Sequence, residues 1–216
     1  MAMGLVACVG GEFRAYKWTC GAVAAVVQST IYLAIGHAPL SRSPDLLRTR
    51  FDDAIPFLPV TAWLYLPVYA AIFIIALAGF RTRSNFNRAL RAFAFIMVVG
   101  LLGHLLIGAV YPRPLLKPPF ADLSSRFLAW VQSIDPPGNV FPSLHVAHTS
   151  SLAFFIHRDN PRLGRLVIPM ALLLAASTLT TKQHFIADVL AGFAVAAVAC
   201  WLMLRGSAPL PPRLIT

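Results

Sequence analysis

Charge is what this sequence has least of. Asp, Glu, Lys and Arg make up 12% of its 216 residues, where soluble domains run at about 25%. Acidic residues are scarcer still, eight against eighteen Lys and Arg. With 58% hydrophobic residues and a mean hydropathy of +0.71, the polar surface is too small to cover a water-facing globule, so the excess apolar surface must face lipid. The same composition excludes a disordered chain, a collagen-like chain and a coiled coil. Cysteine is sparse too. Cys8, Cys20 and Cys200 have no metal-like spacing and read as inert packing residues. The formal charge of +10 would suggest nucleic acid as partner of a soluble protein. Here the basic residues sit between apolar runs, where they orient membrane spans and meet anionic headgroups. The expected partner is the bilayer, with no nucleic acid.

What the sequence has is apolar length. A helical span needs about 20 mostly apolar residues, and runs of that order cover residues 18–41, 54–80, 92–112 and 136–157. Two shorter runs, 166–181 and 185–204, are separated by little more than Lys182, Gln183 and His184. The first run follows Arg14 and Lys17 but exceeds a signal-peptide core and lacks a small-residue cleavage site, so it is kept as a span. The pattern predicts an all-α, polytopic bundle of six transmembrane helices forming one domain over residues 1–216, with no internal repeat and no linker. With the N-terminus inside, the cytoplasmic segments collect Arg14, Lys17, Arg81, Arg83, Arg88, Arg91, Arg158, Arg162, Arg165, Arg205 and Arg213 against Glu12 and Asp159. The other side, which includes Arg42 and Asp45, is nearly balanced. The positive-inside rule then places both termini in the cytoplasm. The short loops suggest a bacterial inner membrane. Between spans three and four, Phe120, Leu123, Phe127, Val131 and Ile134 recur at helical spacing, with Ser124, Ser125 and Arg126 opposite. They predict a short helix in the outer interface.

Under this topology three groups meet at the outer membrane surface: Tyr111-Pro112-Arg113-Pro114, Phe141-Pro142-Ser143-Leu144-His145, and His184 with Asp188. His184 and Asp188 are spaced to share a helix face, so the carboxylate can fix the imidazole tautomer and leave the other nitrogen basic. That suits a nucleophile, a general base or a metal ligand. His145 follows a proline and a capping hydroxyl, Ser143, at a helix start that favours an anion such as phosphate. Beside a phosphate ester the histidine can serve as general acid. Arg113, Lys117 and Lys182 can surround the same point and stabilise phosphoryl-transfer charge.

These residues, in this order, resemble the type 2 phosphatidic acid phosphatase superfamily of six-span lipid phosphoesterases. The resemblance rests on Arg113-Pro114, on Pro142-Ser143-Leu144-His145, and on Ser177 through His184 to Asp188, and it covers residues 52–192. Leu144 stands where that family has glycine, Thr178 where it has arginine, and Leu106 where it has the first-motif lysine. The variant pattern, with Asp135-Pro136-Pro137 and Asn139, is similar to the branch containing inositol-phosphorylceramide synthases and their bacterial relatives. The resemblance implies that His184 attacks phosphorus to form a phosphohistidine, that Asp188 orients His184, and that His145 protonates the leaving group. No metal or other cofactor takes part. It also implies that Ser143 and Asn139 join Arg113 or Lys117, and Lys182, in binding a membrane lipid that carries a phosphate. Water as acceptor makes the enzyme a lipid phosphatase. An alcohol such as ceramide or diacylglycerol makes it a phospho-headgroup transferase.

Two other classes compete. A metal-dependent hydrolase would draw on His145, His148, His184 and Asp188. A lipid or solute transporter would use buried His104 to line a polar path, but the ionisable groups gather at one surface instead of the midplane. His104 reads as a hydrogen bonder between helices. Asp52 and Asp53 either bind headgroup hydroxyls or complement a helix N-terminus.

Overall fold

Apolar runs bounded by capping residues dictate the helices. The computed structural model describes residues 2–38, 43–44 and 46–205, with side chains from residue 11 onward. Arg42, Asp45 and Arg213, and the side chain of Cys8, lie outside the described residues. The long helices are α1 (Ala2–Gly36), α3 (Ala62–Gly79), α4 (Arg83–Leu106), α6 (Leu144–Asp159), α7 (Pro161–Thr180) and α8 (Ile186–Leu204). Shorter ones are α2 (Arg50–Ala54) and α5 (Leu123–Ile134). Ser43–Pro44 pairs in parallel with Ala109–Val110, a strand contact the apolar pattern did not signal. Thr82, Asp122 and Ser143 cap α4, α5 and α6 with side-chain oxygens that accept from backbone N–H groups. Pro161 opens α7, where its missing N–H costs nothing.

Among the described residues, five stretches are long and apolar enough to cross a membrane: Gly11–Gly36, Pro59–Gly79, Arg83–Leu106, Pro161–Thr180 and Ile186–Leu204. Large apolar side chains on them, among them Val26, Ile74, Val98, Leu172 and Leu190, face outward, as lipid contact requires. The fourth expected span is different. The stretch from Pro136 to Pro142 is irregular, and α6 starts only at Leu144, giving 16 residues or about 24 Å of helix. It is the buried axis of the bundle and packs against α3, α4, α7 and α8. Its Val146, Ala147, His148 and Thr149 are fully buried. Helix α4 begins before the expected Ala92, because Arg83, Arg88 and Arg91 continue the helix beyond the apolar run.

The core joins Ile72 of α3, Phe86 and Ile96 of α4, Phe155 and Ile156 of α6, and Leu174 of α7. At the end of the bundle away from the histidines, the Asp159 carboxylate accepts from the backbone N–H groups of Arg81 and Thr82 and from the Thr82 hydroxyl, tying α6 to the α3–α4 turn. Lys17 Nζ closes the end of α3 by donating to the carbonyls of Ala78 (2.9 Å) and Phe80 (3.0 Å). Helix α5 forms where its periodicity predicts but turns a different face inward. Leu128, Val131 and Ser125 are buried against Ala62 and Tyr65 of α3, while Leu123, Trp130 and Ile134 face out. Stacking of Trp63 on Phe127 at 4.2 Å fixes that rotation.

Candidate active site

One end of the bundle gathers the C-termini of α1, α4 and α7 and the N-termini of α3, α6 and α8. His145 stands in the first turn of α6 and His184 in the turn before α8, and their ring centroids are 5.9 Å apart. Ser143 binds these starts together, since its backbone N–H donates to the Asp188 carbonyl at 3.1 Å. Its hydroxyl caps α6 by accepting from the Val146 N–H at 3.4 Å.

Asp188 Oδ2 lies 3.5 Å from His184 Nδ1, and both side chains are buried. That is a close pairing, longer than a good hydrogen bond. The same oxygen accepts from the Phe185 N–H at 2.7 Å, so Asp188 also caps its own helix. Asp52 serves α8 from outside: its Oδ1 accepts from the Ile186 N–H at 2.7 Å, and its Oδ2 accepts from the Thr49 N–H at 2.8 Å. Of the two roles open to Asp52, this is the helix N-terminus.

Lys182 is near His184 in sequence but turns elsewhere. Its φ of 56° puts it in the left-handed region, and its ammonium donates to the carbonyls of Asp52 (2.8 Å) and Ile55 (2.7 Å). Lys182 and Asp52 therefore clamp the α7–α8 turn that carries His184. Lys117 is exposed on the loop before α5. The Arg113 side chain is buried and donates to the carbonyls of Asp135 and Pro136, with Nη2 3.6 Å from the Asp135 carboxylate. The Asn139 side chain donates to the Tyr32 carbonyl at 2.6 Å, anchoring the segment before α6 to α1.

Sequence reasoning missed the ring of groups on the other side of His145. Tyr65 Oη donates to Asp135 Oδ2 at 2.8 Å and lies 3.2 and 3.1 Å from Nδ1 and Nε2 of His145. Tyr32 Oη donates to Asp135 Oδ1 at 2.6 Å. Tyr69 packs its ring edge-on to His145 at 4.8 Å. Burial works against ionising Asp135, but the Arg113 guanidinium, His145 and the two phenols together outweigh it and leave the carboxyl below its usual range. Nearby, burial with Asp52 pushes the Tyr111 phenol up to about 12, and its ring stacks on Phe185. A buried tyrosine needs a partner for its hydroxyl, and that was the available signal for Tyr32 and Tyr65.

A cavity of about 230 Å³ opens against this ring, lined by Gln28, Tyr32, Tyr65, Tyr69, Asp135 and His145 together with apolar Leu33, Leu66, Val131 and Ile134. It touches His145 and not His184. His148 lies one turn deeper, stacked on Phe93 at 4.2 Å and 3.3 Å from Gln28. Among the described residues, no group of three or more His, Cys, Asp or Glu side chains is arranged to hold a metal ion. An imidazole paired with a carboxylate, a second histidine facing it and an apolar-walled cavity beside that second histidine are the parts of a site for covalent group transfer.

A family model described as the PAP2 superfamily matches residues 43–202. An uncharacterized protein of Methanocaldococcus jannaschii is 31% identical over 102 residues, 45% of this chain. The match spans 41% of that relative's length. No solved structure matches the chain.

Proposed function

The chain belongs to the PAP2 superfamily, and from that premise we propose that it is a membrane-embedded lipid phosphoesterase that hydrolyses a lipid phosphate through a phosphohistidine. The observation that carries the reading is the placement of the two histidines. Their rings stand edge to face with centroids 5.9 Å apart, His184 backed by Asp188 and His145 bordering the apolar-walled cavity.

In the first step a lone pair of His184 attacks phosphorus, the bond from phosphorus to the lipid oxygen breaks, and His145 gives its proton to that oxygen. The lipid leaves on the His145 side, where the cavity can take its apolar part. Asp188 stabilises the charge that develops on His184. In the second step water attacks the phosphohistidine, His145 accepts its proton, and free phosphate and His184 are regenerated. No step is assigned to a metal.

In this reading helix α6, fourth in chain order, makes the sixth crossing, shortened because the segment before it is irregular. The arginines at the opposite end of the bundle support a cytoplasmic location for that end, with the histidines at the outer face. The motif departures at Leu144 and Thr178 favour a second reading, in which an alcohol such as ceramide or diacylglycerol replaces water and a phospho-headgroup is transferred.

The test is incubation of purified protein and His184→Ala in detergent with EDTA, with lipid phosphates and with phosphatidylinositol plus ceramide or diacylglycerol. Free phosphate from the parent protein alone supports hydrolysis. A new headgroup-bearing lipid supports transfer. Activity lost to EDTA and restored by added zinc contradicts the metal-free reading, and matched inactivity of both proteins points to transport.

A further inference from the structure

A buried carboxylate is expensive, and a bundle that needed only packing would be served as well by apolar residues. Asp135 is nonetheless 9% exposed among aromatic rings and takes hydrogen bonds from Tyr32 (2.6 Å) and Tyr65 (2.8 Å), with Arg113 alongside at 3.6 Å. The Tyr65 phenol has one proton, and Asp135 takes it. Toward His145 the same oxygen can therefore present only lone pairs, at 3.1–3.2 Å from the two ring nitrogens.

We propose that Asp135 and Tyr65 are positioning residues for His145: the carboxylate fixes the direction of the phenol, and the phenol's lone pairs, held about equally close to both ring nitrogens, favour the protonated imidazole that supplies the proton. This rests on the proposed role of His145 as general acid. It is the counterpart of the Asp188–His184 pair, with a phenol interposed. In the step itself the proton moves from His145 to the lipid oxygen as the phosphorus–oxygen bond breaks. The electron pair of that bond ends as the new O–H bond, and the Tyr65 proton stays with Asp135. Arg113 keeps the carboxylate ionised, without which the phenol would be free to turn its proton toward His145.

A leaving group that needs no proton separates this role from a structural one. Full-length Tyr65→Phe and Asp135→Asn are assayed beside the parent on phosphatidic acid, whose alkoxide must be protonated, and on p-nitrophenyl phosphate, whose phenolate leaves unaided. The expected result is a loss in kcat/KM, which reports the steps up to phosphohistidine formation, of about 100-fold on phosphatidic acid. On the aryl ester the loss in kcat/KM stays within about threefold. Tyr65→Phe removes a single oxygen. Asp135→Asn is isosteric, so a folding failure in one leaves the other to report. Equal losses on both esters, or no loss on either, overturn the inference while leaving the proposed function standing. If neither the parent nor His184→Ala releases phosphate from either ester, the proposed function fails and this inference with it.

Discussion

Gly192→Ala separates positioning from stability. A Cβ on Gly192 of α8 would stand 2.7 Å from the Ser143 carbonyl oxygen and 3.1 Å from Val146 Cβ, at the start of α6. The oxygen is backbone and cannot swing away. Ordinary contact begins at 3.4 Å, so α8 must retreat by about 0.7 Å at the level where Ser143 N–H meets the Asp188 carbonyl. Overpacking costs about 1–3 kcal/mol. Alanine in place of a helical glycine recovers about 1 kcal/mol, which leaves a net loss of about 0–2 kcal/mol. The effect on turnover is larger, because a 1 Å error in a reacting group costs about 100-fold and the shift moves Asp188 and His184 relative to His145. In detergent, Tm should fall by no more than about 8 °C while kcat on a lipid phosphate falls about 10- to 100-fold. Phosphate release and thermal unfolding on the same preparation give both numbers. Unchanged kcat, or a kcat loss matched by global unfolding, would refute the coupling of the two helix starts to the chemistry.

Asp188→Asn leaves a side-chain oxygen to cap Phe185 but removes the charge behind His184, so kcat should drop about 10²- to 10⁴-fold with little change in Tm. Lys182→Met gives up the clamp on Asp52 and Ile55, and thermal unfolding should show a loss of about 1–3 kcal/mol. KM for the lipid phosphate should stay within about twofold, since the ammonium is spent on carbonyls. Asp52→Ala should cost about 1–2 kcal/mol by unbinding the Ile186 N–H, and the double variant with Lys182→Met should lose less than the sum. Asp135 has its folded pKa depressed below 3.8. Its contribution to stability is therefore full well above that value and drains as pH falls through the lower folded one. Acid titration of Tm should show that decline in the parent and a flatter curve in Asp135→Asn.

The helices and the His145 and His184–Asp188 motifs were legible because each sits where an apolar run meets a turn, and both signals are local. The Asp135 cluster was not. Tyr65 and Tyr32 stand in apolar runs, where a tyrosine reads as an interface anchor, and their partner is 70 and 103 residues away. Lys182 misled for the converse reason, since nearness to His184 in sequence suggested nearness in function. Its left-handed backbone instead sends the side chain to the segment before α3. The rotation of α5 was hidden because stacking of Trp63 on Phe127, a contact between helices, decides which face turns inward. The late start of α6 was obscured by a run that stays uncharged from Pro136 onward although prolines keep its first part irregular.

The most direct test of the account is to trap the covalent intermediate. The parent protein and His184→Ala are mixed with a lipid phosphate labelled in its phosphoryl group, denatured in alkali within the first turnover, and mapped by peptide mass spectrometry. The account predicts an acid-labile, alkali-stable phosphoryl group on His184 in the parent and none in the variant. A turning-over parent with no labelled histidine, or a label at another residue that persists in His184→Ala, would contradict it.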